Sequence, residues 1–154
     1  MSISSKTVSY THLLETICGG SACGILAGGN LSLLTALLGS PFAINGGGKI
    51  IFIEEINEAP YRIDRMLMSL RLAGVFDRAQ GVLLGSFEGC RGVYLPDHEK
   101  KESLTNTFRD ILSPLGIPVL AGLCCGHSYP QMTLPLGCNI VMNTDKKTIK
   151  IVPF

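Results

Sequence analysis

Apolar residues recur along this chain with two different periods, and the clearest change from one to the other falls at Pro60. Ile50 to Ile53 is an unbroken apolar run rich in β-branched side chains, which predicts a strand covered on both faces. Glu54 stands at its C-terminal end. From Pro60 onward Ile63, Met66, Leu67, Leu70 and Gly74 fall on one helical face, while Arg62, Arg65 and Ser69 fall elsewhere. Pro60 suits the first turn of that helix, where its missing N–H leaves no bond unmade.

The same alternation of periods extends to both sides. Val8 to Ile17 predicts a strand ending at the Gly19-Gly20 turn, and Cys23 to Ala27 a second short strand. A Gly28-Gly29-Asn30 turn then leads into a helix over Leu31 to Leu38, with Asn30 as N-cap and Gly39 to Pro41 as the stop. Downstream, Gly81 to Phe87 predicts a strand parallel to the central one. Glu88 to Glu99 reads as a surface loop with a solvated His98, and Leu104, Phe108, Ile111 and Leu112 repeat at helical spacing until Pro114 and Gly116. Pro118 to Leu123 predicts a third apolar strand, running into Cys124-Cys125-Gly126-His127. Leu134 to Val141 and Thr148 to Val152 predict closing strands around a turn at Asn143 to Lys146. This order gives an α/β domain over residues 8–154, preceded by a disordered or linker tail over residues 1–7.

Composition narrows the function classes. The 154 residues suffice for one domain with a proper core, only 16% are charged, and the formal net charge is +1, so a nucleic-acid surface is not expected. No apolar run approaches the roughly 20 residues of a membrane span, and Met1 to Tyr10 is polar, so the expected setting is cytoplasmic. The six cysteines (Cys18, Cys23, Cys90, Cys124, Cys125, Cys138) form no CxxC pair, which predicts free, mostly buried thiols and no metal site.

Two predicted strands end in ionisable residues, Glu54 and His127, and parallel neighbours bring such ends to one edge of a sheet. A carboxylate that fixes an imidazole tautomer prepares it to take a proton from a nucleophile. Glu55 and Glu58 compete for the acidic role, but strand neighbours face opposite ways, and Glu58 can serve the following helix instead. A hydrogen-bonded loop His is the plainer reading of His127. No G-x-S-x-G nucleophile elbow occurs, since Gly19-Gly20-Ser21-Ala22-Cys23 lacks the last glycine. The Gly28-Gly29-Asn30 turn before a helix could hold a carboxylate or phosphate, or its glycines could serve packing alone.

The segments Ala27 to Leu34, Gly48 to Glu58, Tyr61 to Leu67, Gly81 to Phe87 and Gly126-His127 through Thr133 to Gly137 resemble, in that order, the C-terminal half of the LD-carboxypeptidase family. That family includes murein tetrapeptide carboxypeptidases and microcin-immunity peptidases. The resemblance implies a small β/β/α, swivelling-type domain with a mixed sheet and no cofactor. It further implies that Glu54 and His127 are the Glu and His of a Ser–Glu–His triad, with Asn30 and Ser32 at the substrate. The family's serine lies in an R-G-G-Y-G-S-type turn of an N-terminal domain, and no such segment occurs here. The implied partners are therefore that nucleophile domain, in the same protein or another chain, and a muropeptide losing a terminal D-amino acid. A homodimer is compatible with this. The chain alone is expected to be inactive, for want of a nucleophile and oxyanion donors. The competing expectation is a non-catalytic module that binds cell-wall peptides or a protein partner.

Overall fold

The apolar run around Ile50 becomes the centre of a seven-stranded mixed sheet in the computed structural model, which describes residues 14–90 and 97–152 and, within α3, the side chains from residue 104 on. The strands are β1 (Glu15–Cys18), β2 (Ser21–Asn30), β3 (Lys49–Ile56), β4 (Gly81–Glu88), β5 (Val119–Ala121), β6 (Asn139–Asn143) and β7 (Thr148–Ile151). Their order across the sheet is β1-β5-β4-β3-β2-β6-β7. The four inner strands β5, β4, β3 and β2 run parallel, and β1, β6 and β7 are added antiparallel. Parallel neighbours need crossovers, and α1 (Leu31–Ala36), α2 (Pro60–Leu72) and α3 (Asp97–Leu112) supply them.

Strand alternation divides the core in two. Ile51, Ile53, Val82, Leu84, Val119 and Ala121 face the helices and pack on Leu31, Ile63, Leu67, Leu70 and Phe108. Ile50, Phe52, Leu83 and Leu120 face the other way and pack on Leu26, Leu123, Ile140 and Met142. Both faces of β3 are thus covered, as its unbroken apolar run predicts. Leu67 is fully buried in the helix-side core, so truncating it to Ala would cost about 2–5 kcal/mol. The sheet curls around the second core: a Cβ on Gly81 of β4 would lie 2.9 Å from Met142 Cε of β6, across two intervening strands.

Several boundaries differ from the sequence reading. Gly28 and Gly29 are the end of β2 and not a turn after it, because β2 pairs with β3 as far as Asn30–Glu54. Gly28, at φ 141°, is demanded by a close approach: a Cβ there would overlap the Phe52 carbonyl. Helix α1 ends at Ala36 and not Leu38, and α3 begins at Asp97, inside the expected loop. β6 begins only at Asn139; Leu134 packs on the second core from irregular backbone. The tail over residues 1–7, the first part of the Val8 to Ile17 strand and the side chain of His98 lie outside what is described. All six cysteines are free, as expected, but only Cys90 and Cys125 are buried, and Cys23 is exposed.

Candidate active site

Glu54 and Glu55 sit on the same strand and have opposite surroundings. Glu54 shares its face with Ile50 and Phe52, and Glu55 shares the helix-facing side with Ile51 and Ile53. Opposite Glu54 the ladder is irregular. Between the pairs Ile53–Leu84 and Glu55–Phe87, β3 has one residue and β4 has two, Gly85 and Ser86. A bulge of this kind re-aims side chains at the end of a strand.

The segment after β5 closes over that bulge. Leu123 N donates to Leu84 O at 3.1 Å and Ser86 N to Cys125 O at 2.8 Å, so the backbone after Ala121 continues beside β4. Two glycines permit the approach. A Cβ on Gly85 would overlap Cys125 O, and one on Gly126 would overlap Ser86 Oγ and lie 2.7 Å from Glu54 Oε2. Gly126 has φ 133°, which a side chain would strain. Gln131 Nε2 donates to Gly126 O at 2.6 Å and Met132 N to Cys124 O at 2.6 Å, fastening the loop on its far side.

This delivers His127 to Glu54, with Nδ1 2.8 Å from Glu54 Oε2. The Glu54 side chain is 7% exposed and that of His127 50% exposed. An ionised carboxylate accepts only, so with a neutral ring Nδ1 carries the proton and Nε2 keeps its lone pair. Among the described residues nothing bonds Nε2. The pair can therefore accept a proton at Nε2 and stabilise the resulting imidazolium through Glu54. Among the described residues no serine hydroxyl bonds this imidazole: the Ser86 hydroxyl donates to Cys125 O at 3.2 Å. A cavity of about 520 Å³, within the range of small-molecule sites, opens beside the loop between Ser86, Phe87, Phe108, Ser128 and Tyr129. Among the described residues no three His, Cys, Asp or Glu side chains converge as a metal ion requires.

Asn30 and Ser32 are brought to Glu55, not to His127. Asn30 Nδ2 donates to Glu55 Oε1 at 2.8 Å, and Ser32 N and Oγ donate to Oε2 at 2.8 and 2.6 Å. Ile56 N completes the set at 2.9 Å. Burial pushes the Glu55 carboxyl up, but the bonds from Ser32, Ile56 and Asn30 outweigh it and hold the group below its usual range. The start of α1 does hold a carboxylate, and it is the chain's own. Asn30 also caps α1, accepting from Leu33 N at 3.2 Å, as the sequence predicts. Glu58 pairs with Arg62 at 3.5 Å on the surface, and Arg65 lies over the Tyr61 ring. Sequence reasoning missed Ser86 and the bulge. The glycine pair Gly85 and Gly126 is the only trace of them in the residues.

The comparisons with known proteins agree with one another. Residues 23–142 match the family described as LD-carboxypeptidase C-terminal domain. A probable murein peptide carboxypeptidase of Bacillus subtilis is 44% identical over 138 residues, covering 90% of this chain and 42% of the relative. The microcin C7 self-immunity protein MccF of Escherichia coli is 35% identical over 137 residues, covering 86% of this chain and 37% of that protein. The crystal structure of a muramoyltetrapeptide carboxypeptidase from Oxalobacter formigenes superposes with a TM-score of 0.72 at 30% identity, covering 92% of this chain and 50% of that one. The chain spans about two fifths of the length of the curated relatives it matches.

Proposed function

The chain belongs to the LD-carboxypeptidase family, as its C-terminal domain, and from that membership we propose that His127 is the general base, and Glu54 the carboxylate that orients it, in a Ser–Glu–His hydrolase whose serine comes from an N-terminal domain. The observation that carries this reading is the 2.8 Å contact between a buried carboxylate and an imidazole whose other nitrogen bonds none of the described residues. In the assembled protein His127 Nε2 takes the serine proton as the oxygen attacks the scissile carbonyl. Glu54 holds Nδ1–H and stabilises the cation. The imidazolium then protonates the departing amine, and water, deprotonated by the same nitrogen, releases the acyl group. The substrate is a muropeptide losing a terminal D-amino acid from an L-centre during cytoplasmic recycling of cell-wall peptides. The substrate contacts that the resemblance assigns to Asn30 and Ser32 belong to this reading too, although both side chains bond Glu55 in this structure; Asn30 is level with Glu54 in the β2–β3 ladder and Ser32 lies in the first turn of α1.

Exposure supports a covering domain. His127 is half exposed and Tyr129, two residues on, is 98% exposed. Polar catalytic groups and a bare aromatic at one rim suit a surface that another domain closes. The test is hydrolysis of an L,D-tetrapeptide by this chain with and without the nucleophile domain. Activity only in the combination is expected, and activity of the chain alone refutes the division of labour. In the combination, Glu54→Gln or His127→Ala should cost roughly 10³- to 10⁴-fold in kcat. If both variants leave function intact, a non-catalytic peptide-binding module is the better reading.

A further inference from the structure

The segment that presents His127 is fastened at both ends and by little in between. Ser86 N donates to Cys125 O at 2.8 Å and Met132 N to Cys124 O at 2.6 Å, which closes the base of the loop. Within it, residues 126–131 make no backbone–backbone hydrogen bond among the described residues, and the Gly126 N–H faces the Cys125 sulfur. Burial does not fix the segment either, since His127, Tyr129, Pro130 and Gln131 are all exposed. Gly126 adds a freedom of its own. It is a glycine because the loop packs on Ser86 and Glu54 there at φ 133°, and a glycine puts little restraint on the peptide plane that follows it. That plane joins Gly126 to His127. Its carbonyl accepts from Gln131 Nε2 at 2.6 Å, and the amide orientation is determined, because the reversed one would set two oxygens against each other.

We propose that Gln131 is a positioning residue whose side-chain amide clamps the Gly126–His127 peptide plane and so keeps the imidazole with Nδ1 against Glu54. This rests on the functional reading above for the role of His127, and on the hydrogen-bond geometry alone for the clamp. Glu54 does not suffice by itself. It fixes the ring through one 2.8 Å contact but not the backbone that carries the ring, and a half-exposed imidazole loses that contact whenever the plane turns. The clamp therefore removes a freedom that close packing at Gly126 introduced. Gln131 also borders a shallow cavity of about 320 Å³ with Phe52 and Cys125, so direct contact with substrate is the rival role, and KM reports it.

Gln131→Met tests this, because it keeps the length of the side chain and removes both donors. In the combined protein it should lower kcat about three- to tenfold, the worth of one neutral hydrogen bond, with KM within about twofold. In this chain alone, NMR should show the Nδ1 proton of His127 exchanging with water about three- to tenfold faster in the variant, and the Gln131 side-chain amide protected from exchange in the unsubstituted chain. An unchanged kcat overturns the proposal, as does an Nδ1 proton that ignores the substitution. A KM that rises while kcat holds overturns it in favour of substrate contact, and a lower Tm with kcat and the Nδ1 proton unmoved leaves Gln131 a structural role only. Should Gln131→Met not fold, the Gln131 amide of the unsubstituted chain decides: protection supports the clamp and free exchange refutes it. Absence of hydrolysis by the unsubstituted combined protein refutes the functional reading instead, and the two proton signals still decide the clamp.

Discussion

Gly126→Ala tests whether the close packing of the loop on Glu54 sets up the Glu54–His127 pair. The added methyl would overlap Ser86 Oγ and stand 2.7 Å from Glu54 Oε2 and 3.1 Å from Glu54 Cβ. An ordinary van der Waals contact needs about 3.4 Å or more, so the carboxylate must retreat by several tenths of an ångström or the loop must lift. Either movement stretches the 2.8 Å bond to His127. Backbone strain at φ 133° adds about 1–3 kcal/mol, and overpacking a further 1–3 kcal/mol or so. The sum is about 2–6 kcal/mol, or a fall in Tm of roughly 4–24 °C for a domain of this size.

Thermal unfolding measures the stability, and the hydrogen-bonded Nδ1 proton of His127, followed by NMR, measures the contact. Ser86→Ala in the same background separates the two costs. It removes the overlapping oxygen but leaves the backbone strain, so it should recover part of the loss, with a coupling of about 0.5–3 kcal/mol. On its own Ser86→Ala forfeits only a 3.2 Å bond to Cys125 O, which Ser86 N also satisfies, at about 0.5–1 kcal/mol. A Gly126→Ala protein with unchanged Tm and an unmoved Nδ1 proton would refute the reasoning, as would strict additivity with Ser86→Ala.

Three further outcomes follow from the packing and the charges. Gly28→Ala forces a methyl into the Phe52 carbonyl at φ 141° and should cost about 3 kcal/mol or more, read by denaturant titration as a lower midpoint. Glu55 is held below its ordinary value of 4.5, so its contribution to stability is complete above that pH and is lost as pH falls through the lower folded value. The stability gap between wild type and Glu55→Gln, measured by urea unfolding, should therefore be widest at neutral pH and shrink on acidification. Burial, aided by the Glu55, Glu58 and Glu54 carboxylates and opposed by the Glu58 N–H, pushes the Cys90 thiol up to about 11. At pH 8 a disulfide reagent should label exposed Cys23 first and reach Cys90 only on unfolding.

The parts of this fold legible in the residues are those where one period persists. β3 and α2 are long, strongly patterned and bounded by Pro60, and their positions follow from side-chain spacing alone. Where an apolar stretch is short, spacing cannot tell a strand from a buried loop. Met132 and Leu134 fill the second core as a strand would, but Pro135 and left-handed Gly137 (φ 86°) keep that segment off the ladder until Asn139. Gly28 and Gly29 read as a turn because their cause, the Phe52 carbonyl on a strand not yet formed, lies 24 residues away. The bulge beside Glu54 was illegible for a related reason: a count of two residues against one exists only once register is set.

Strand alternation explains why adjacent carboxylates can take such different roles without any difference in side-chain chemistry. Glu54 and Glu55 differ in sequence position by one, and one step along a strand turns a side chain through the sheet. On one side the helices bring Ser32 and Asn30, whose neutral donors hold Glu55 as a fixed anion. On the other side the described residues form no helix, and the turn carrying His127 supplies a titratable partner instead. A one-residue slip of β3 against β2 would exchange the two environments, setting a neutral clamp beside the cleft and an imidazole under α1. The register that prevents this is enforced by Gly28, since only a glycine lets the Phe52 carbonyl approach at that level. The same glycine that looks like a loop residue in the sequence therefore decides which of two glutamates meets the histidine.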